Sequence, residues 1–100
     1  MSHAPVPKRY KQADEVLPIS FDFAGPPRKL PAGDSVAAVV GGALIPAAGI
    51  TTSAPSIVGN TVTALVSGGS ATHRISCRVT TTLGYTLELD VDVVVEDGAN

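Results

Sequence analysis

The feature of this sequence that most constrains its fold is the alternation of apolar and polar residues over the last third of the chain. Three segments carry the alternation, and turns containing glycine separate them: residues 61–67, 74–81 and 86–93. Alternation with a period of two places one set of side chains on each face of a strand. Because one face is aliphatic and the other carries charges and hydroxyls, each strand buries one side and leaves the other in water. The pattern predicts an antiparallel meander that forms half of a β-sandwich.

The segments before this meander are short and are separated by glycine and proline. Alternation or β-branched content predicts further strands at residues 17–23, 35–40 and 50–57. Pro18 lacks an amide donor, which favours an edge position, and Pro55 interrupts the third of these segments. Turns at intervals of about ten residues are typical of immunoglobulin-like domains. The chain is therefore predicted to be all-β, an immunoglobulin-like β-sandwich of about seven short strands, with a small barrel as the alternative architecture.

The first residues of the chain differ from this body. Pro5 and Pro7 enforce an extended path, and a compact basic cluster around one tyrosine follows them: Lys8, Arg9, Tyr10 and Lys11. The stretch has too little apolar surface to offset the entropy cost of ordering it. We therefore predict an extended N-terminal arm over residues 1–14 that orders on a partner, a sandwich over residues 15–97 and a disordered tail over residues 98–100. A solvated terminus without a role is the alternative interpretation of the arm.

Composition argues against several classes of function. The formal net charge of −2 gives no electrostatic case for nucleic acid or for an anionic membrane. One cysteine and two histidines are too few for a disulfide or a structural zinc site, so no metal and no cofactor is predicted. The most apolar window, residues 36–50, contains glycines and a proline and falls short of the roughly 20 residues that span a bilayer. Without a recognisable signal peptide, the expected place of synthesis is the cytoplasm.

No catalytic constellation is visible, so the predicted class is a non-enzyme. The histidines His3 and His73 have no acid or nucleophile at a recognisable spacing. Cys77 falls on the predicted inward face of its strand and is expected to be a small buried hydrophobe. Three carboxylates lie about 7 Å apart along the last strand, too far apart to hold one ion by themselves, and we expect them to pair with arginines of the neighbouring strand: Glu88, Asp90 and Asp92.

Two stretches of the chain carry motifs beyond the strand pattern. The first runs Lys-Gln-Ala-Asp-Glu-Val-Leu from Lys11 and is followed by an alternating strand and a loop that ends Gly-Asp-Ser at Ser35. The second runs Leu-Val-Ser-Gly-Gly-Ser-Ala-Thr from Leu65 and is followed by the Val-Thr-Thr-Thr-Leu-Gly hairpin that ends at Gly84. Both stretches resemble a family of small tailed-bacteriophage virion proteins whose members are labelled fiber-tail adaptor or neck proteins. The resemblance covers roughly residues 11–95 and implies an immunoglobulin-like sandwich preceded by a short arm.

The resemblance also implies a function and a set of partners. It implies a structural virion protein, an adaptor in the neck or tail region whose partners are other virion proteins: the portal, the head–tail connector, and tail or fibre proteins. A homo-oligomeric ring is expected, and the candidate partner-binding residues are Lys8, Arg9, Tyr10, Lys11, Arg28 and Lys29. The apolar bend at residues 44–50 is a further contact candidate if it is exposed. The alternatives are a capsid decoration protein and a non-catalytic carbohydrate- or peptide-binding module.

Overall fold

The structure is a computed structural model that describes residues 7–25, 30–46 and 49–96. Over these residues the chain forms strands and one short 3₁₀ helix at Val40–Gly42. The strands, in chain order, are β1 (Lys8–Gln12), β2 (Leu17–Asp22), β3 (Val36–Val39), β4 (Ile45–Pro46), β5 (Ile50–Thr52), β6 (Ser56–Val58), β7 (Thr61–Gly68), β8 (Thr72–Thr81) and β9 (Thr86–Glu96). Within the described part of the chain, no helix has the length and apolar character needed to cross a membrane.

The strands form two sheets that pack as a sandwich. One sheet has the order β1-β9-β8-β3, with β4 also paired to β8, and is called the β8–β9 sheet below. The other has the order β2-β7-β5, with β6 also paired to β7, and is called the β2–β7 sheet. The chain crosses between the sheets after β1, β2, β4 and β7, which is the kind of connection found in immunoglobulin-like sandwiches. The predicted all-β sandwich is confirmed.

The described residues contain nine strand segments instead of about seven. The predicted edge strand at residues 50–57 is two strands, β5 and β6, separated at the segment that contains Pro55. The predicted apolar bend contains the two-residue strand β4. Short edge segments of this kind follow from the prolines, which have no N–H to donate to a neighbouring strand. The prediction for Pro18 holds, because it lies in β2 at the edge of the β2–β7 sheet.

The core lies between the two sheets and is built from their inward-facing side chains. Its residues are almost all aliphatic, with two phenylalanines from β2 and the segment that follows it: Ile19, Phe21, Phe23, Val62, Val66, Ile75, Cys77, Val79, Val91 and Val93. The predicted inward faces of β2, β8 and β9 are confirmed by this set. Two leucines at the start of β9, Leu87 and Leu89, pack against the core and remain half-buried.

The N-terminal segment differs from the sequence-based expectation. Residues 8–12 were expected in a separate arm, whereas the structure has them as β1, a parallel edge strand whose register runs from Lys8↔Asp92 to Gln12↔Glu96. An edge strand is held largely by main-chain hydrogen bonds to its neighbour, so residues 8–12 join the sheet although their side chains bury little apolar surface. The paired sheet thus includes residues ahead of residue 15. Residues 1–6 and the predicted tail at residues 98–100 lie outside the described residues.

The apolar bend at residues 44–50 is attached to the core at both ends. Leu44 and Ile50 are buried, and the side chain of Ile45 is exposed. Residues 47 and 48, and the side chain of residue 46, lie outside the described part of the structure. Among the described side chains of the bend, Ile45 supplies exposed apolar surface, and the contact role of the bend stays a prediction.

Candidate functional site

The described cysteine and histidine side chains, Cys77 and His73, are both buried in the fold. Cys77 is fully buried, and burial raises the pKa of its thiol to about 12, with a smaller contribution from the charge of Glu88. His73 is buried, and its Nε2 accepts a hydrogen bond of 3.1 Å from the backbone N–H of Ser70. Over residues 7–25, 30–46 and 49–96 no cluster of three or more acidic, histidine or cysteine side chains could hold a metal ion. The candidate functional features of the described residues are therefore surfaces.

A shallow depression of about 270 Å³ lies at the end of the sandwich where β9 finishes. Its lining is Ala13, Gly69, Ser70, Val95 and Glu96. This volume lies below the range of about 300–1,000 Å³ usual for small-molecule sites. Its lining contributes one hydroxyl, from Ser70, and one carboxylate, from Glu96.

Three of the four residues in the predicted basic cluster are exposed on β1. The register pairs Lys8 with Asp92 and Tyr10 with Val94, so these two side chains share the outer face of the β8–β9 sheet. The side chain of Tyr10 is 58% exposed. Arg9 is also exposed, although its register partner lies on the inner side. The structure thus brings a lysine, an arginine and a tyrosine together on one exposed edge strand.

Lys11, the fourth predicted contact residue, is not available for contact. It is 1% exposed, and its ammonium donates hydrogen bonds to the backbone carbonyls of Gln12 at 2.7 Å and Ala13 at 3.1 Å. The reason is alternation, because the register partner of Lys11 is Val95 and the side chain enters the end of the sandwich. A run of consecutive basic residues on a strand cannot all face one side, and this correction removes Lys11 from the exposed cluster.

The buried lysine belongs to a turn that carries the chain from β1 to β2. The backbone N–H of Gln12 donates to the Glu15 carboxylate at 2.6 Å, and the N–H of Glu15 donates to the Gln12 carbonyl at 3.1 Å. Together with the ammonium of Lys11, these contacts satisfy the polar groups of the turn locally. The Lys-x-x-Asp-Glu pattern in the sequence is thus explained as a crossover turn between the two sheets.

The outer face of the β8–β9 sheet carries charges that are largely matched in pairs. Arg74 donates to both carboxylate oxygens of Asp92, at 2.9 and 3.2 Å, and Arg78 donates to Glu88 at 2.8 Å. The hydrogen bond from Arg74 lowers the pKa of Asp92, and the nearby charges of Arg74 and Lys8 lower it further against the opposing effect of burial. The predicted cross-strand pairing is confirmed. These pairs neutralise the charges of Arg74, Arg78, Asp92 and Glu88 on this face.

The outer face of the β2–β7 sheet is different, because it is covered by hydroxyls and aliphatic groups. Ser20 and Thr63 share a hydrogen bond of 3.2 Å between their hydroxyls, and Leu65 is 48% exposed beside them. The carboxylate at its end, Asp22, accepts hydrogen bonds from the N–H groups of Ala24 and Gly25. This surface is not among the contact surfaces predicted from the sequence. The sequence feature that marks this surface is β7, whose outward positions hold serine and threonine and no charged residue.

The hairpin between β8 and β9 presents two further apolar side chains at its tip. Leu83 is 60% exposed and Tyr85 is 52% exposed. Asp34 anchors the hairpin, because its Oδ1 accepts hydrogen bonds from the hydroxyl of Thr82 at 2.9 Å and from the N–H of Leu83 at 3.0 Å. Burial acts to raise the pKa of Asp34, but the surrounding hydrogen bonds outweigh it and lower the pKa below its usual value. The exposed tip was also missed by the sequence analysis.

The turn between β7 and β8 requires its glycines. Gly68 and Gly69 have φ values of +74° and +90°, in the region that favours glycine. A Cβ on Gly69 would lie 2.8 Å from Cγ2 of Val95 and 3.1 Å from the ring of His73. The Ser-Gly-Gly stretch is thereby explained as a tight crossing between sheets. The remaining predicted contact residues, Arg28 and Lys29, lie outside the described residues.

Comparison with known protein families gives a match that covers most of the chain. A family model described as Podophage GP4 fiber-tail adaptor protein gp77 matches residues 11–94. The matched range begins at the buried Lys11 and includes β2 through most of β9, and Lys8, Arg9 and Tyr10 lie just ahead of it. A search of curated proteins finds no match.

Proposed function

Because the chain belongs to the podophage GP4 fiber-tail adaptor protein gp77 family, we propose that it joins tail or fibre components in the neck or tail region of a phage virion. A structural tail adaptor is the role that the family supports, and such an adaptor is a component of the virion that binds other tail or fibre proteins. The observation that carries the proposal is the family match over residues 11–94 on a two-sheet body. The proposed partners within the particle are the portal, the head–tail connector, and tail or fibre proteins.

We propose that the protein acts without catalysis. The family is structural, and the described histidine and cysteine side chains are buried in the fold. The surfaces left for function are two outer faces, the β1 edge and the β8–β9 hairpin tip. These surfaces are suited to binding neighbouring proteins in an assembly.

The partner-binding residues in this proposal are Lys8, Arg9 and Tyr10 on β1, together with Arg28 and Lys29, which lie outside the described residues. Exposure of the three β1 side chains supports their part in it. Arginine and tyrosine are enriched in protein interfaces, because each combines a large contact area with hydrogen-bonding groups. Lys11 is excluded, since its ammonium is bound to the turn.

The proposal includes a homo-oligomeric ring. A ring repeats each contact around its axis, so that several weak contacts act together on one partner assembly. Nucleic acid has no place in the proposal, because the net charge is −2 and most of the charges on the outer face of the β8–β9 sheet are paired.

The first test is the copy number of the protein in purified particles, measured by quantitative gel densitometry against a structural protein of known copy number. An adaptor is expected in a ring's number of copies. A copy number that follows the much larger number of capsomer sites would instead identify a decoration protein, and absence from particles would contradict both.

The second test is incorporation of variants into particles that lack the protein. The double substitution Lys8→Gln and Arg9→Gln is expected to lower incorporation. The double substitution Arg74→Gln and Arg78→Gln, which also removes two exposed positive charges, serves as the matched control. Substitution is preferable to deletion of residues 1–12, because deletion would also remove β1 from the sheet. Incorporation of the double variant at the level of the control would remove the contact role of these residues.

A further inference from the structure

The backbone of β1 has one edge turned to β9 and one edge turned away from the sandwich. The carbonyl of Pro7 accepts a hydrogen bond of 2.9 Å from the N–H of Asp92. In a parallel pair with Lys8 opposite Asp92, alternate residues bond to the neighbouring strand, so the main-chain groups of Arg9 and Lys11 also face β9. Those of Lys8, Tyr10 and Gln12 therefore face outward.

One of these three outward positions is already used within the chain. The N–H and the carbonyl of Gln12 both bond to Glu15, at 2.6 and 3.1 Å, which closes the edge where the crossover turn begins. This observation also confirms independently that even-numbered residues of β1 face outward. Among the described residues nothing bonds to the outward N–H and carbonyl groups of Lys8 and Tyr10. The open part of the edge thus offers two donors and two acceptors at the spacing of a β ladder.

The side chains around this open edge select what can pair with it. Lys8 and Arg9 are exposed and positively charged, and Asp92, the register partner of Lys8, is already bonded to Arg74. A second copy of β1 pairing here in parallel register would place like charges opposite each other, which is unfavourable. On its inner edge β1 has the opposite arrangement, since β9 places Asp92 opposite Lys8. These charges disfavour self-pairing and favour a strand that brings carboxylates to Lys8 and Arg9.

We propose that the outer edge of β1 is a β-augmentation site that accepts an extended, acidic segment of a partner virion protein as an additional strand. In this arrangement main-chain bonds to Lys8 and Tyr10 hold the segment, and its carboxylates contact Lys8 and Arg9. The exposed ring of Tyr10 packs against the side chains of the incoming strand on the outer face of the sheet. This inference deepens the proposed function and rests on it, because the partner must be another component of the particle.

The direct test is hydrogen–deuterium exchange resolved to single amides, on the free protein and on purified particles. In the free protein the amides of Lys8 and Tyr10 are expected to exchange quickly, while those of Arg9 and Lys11 are protected by β9. In the particle the amides of Lys8 and Tyr10 are expected to become at least about tenfold slower, since each gains a hydrogen bond. Fast exchange of both amides in the particle would overturn the inference, and so would protection of both in the free protein.

A pair of variants at one position separates the main chain from the side chain. Tyr10→Pro removes the outward N–H without removing a bond to β9, whereas Tyr10→Ala removes the ring and keeps the N–H. At limiting protein, Tyr10→Pro is expected to be incorporated into particles about fivefold less than Tyr10→Ala. Equal incorporation of the two variants would overturn the inference. Protection of the Arg9 and Lys11 amides in Tyr10→Pro would verify that β1 is still paired with β9 in this variant. If β1 is no longer paired, the exchange experiment on the unmodified protein decides the question.

The charge of the partner strand is tested by comparing reversal with neutralisation. The double variant Lys8→Glu and Arg9→Glu is expected to be incorporated about fivefold less than the variant with glutamine at both positions, because reversal adds repulsion from an acidic strand. Equal incorporation of the two would contradict an acidic partner.

The two levels of the proposal fail in different ways. If the unmodified protein is absent from particles, the proposed function fails and the augmentation site fails with it. If the protein is present in a ring's number of copies but the amides of Lys8 and Tyr10 exchange quickly, the adaptor role stands and the augmentation site alone is rejected.

Discussion

Gln12 and Glu15 are bonded to each other in both directions. The N–H of Gln12 donates to the Glu15 carboxylate at 2.6 Å, and the N–H of Glu15 donates to the Gln12 carbonyl at 3.1 Å. This reciprocal pair ends β1, turns the chain toward the other sheet and closes the β1 edge at its C-terminal end. It therefore determines how much of that edge remains open.

Loss of the Glu15 carboxylate should weaken this turn. Glu15→Ala leaves the outward N–H of Gln12 to water, and we expect the free energy of unfolding to fall by about 0.5–1 kcal/mol, because the bond is exposed. Urea denaturation followed by circular dichroism measures the change. Asp14→Ala is the matched control, since Asp14 is an exposed acidic residue in the same turn. An equal effect of the two substitutions would show that the reciprocal pair contributes nothing specific.

Lys11 should contribute to stability mainly through its buried methylene stem. Lys11→Met keeps an unbranched apolar side chain and loses the ammonium, whereas Lys11→Ala loses both. We expect Lys11→Ala to lower the free energy of unfolding by about 2 kcal/mol, and Lys11→Met to lower it by clearly less. Denaturant titration of both variants is the measurement. If Lys11→Met is as unstable as Lys11→Ala, the two carbonyl contacts of the ammonium are the dominant contribution instead.

The thiol of Cys77 should be inert in the folded protein. It is fully buried, and burial raises its pKa to about 12, so almost no thiolate is present at mildly alkaline pH. Titration with a coloured disulfide reagent should show no rapid reaction in native buffer and one rapid equivalent in concentrated guanidinium chloride. The unfolded sample is the control for reagent and for total thiol. Rapid reaction of the native protein would contradict the buried position.

Stability should decrease in acid because two carboxyl groups have lowered pKa values in the folded state. Hydrogen bonds outweigh burial at Asp34, and the hydrogen bond from Arg74 acts at Asp92. A carboxyl group whose pKa is lowered in the folded state stabilises the fold when the pH is above 3.8, the ordinary pKa of aspartate. This contribution is lost as the pH falls through the folded-state pKa. Denaturant midpoints measured from neutral to acidic pH should fall accordingly.

The contribution of Asp34 to this acid sensitivity can be isolated. Asp34→Asn keeps the size of the side chain but removes its charge and one acceptor, so the variant should be less stable at neutral pH and should lose less stability on acidification. Asp14→Asn, at an exposed turn position, serves as the control. An unchanged pH dependence in Asp34→Asn would show that Asp34 is not one of the titrating groups.

The alternation of side chains was enough to predict the inward faces of the long strands. Ile75 and Val79 are buried and Arg74 and Arg78 are exposed, as a period of two requires. The pairing of Arg74 with Asp92 followed from the same pattern, because the residues directly opposite in an antiparallel pair share a face. These features depend on local sequence and on strands joined by one short turn.

The placement of β1 was not predictable in the same way. Its neighbour β9 is far away in sequence, and a parallel pair leaves no turn between the strands as a signal. Lys11 shows the consequence most clearly. Its place in a basic run predicted an exposed contact residue. The register with β9 instead directs its side chain inward, where it is buried at the end of the sandwich. The exposed tip at Leu83 was missed for a related reason, since apolar character alone predicts burial.

What the sequence determined by itself is which side of each long strand is apolar, and with it the two-layer architecture, because that property needs only a two-residue period and the hydrophobic effect. The tertiary structure alone decided which strand occupies the outer edge next to β9 and which of its main-chain groups remain open. The main-chain hydrogen bonds that hold an edge strand are made by every residue type except proline, so the residues of β1 do not by themselves indicate which strand they will pair with.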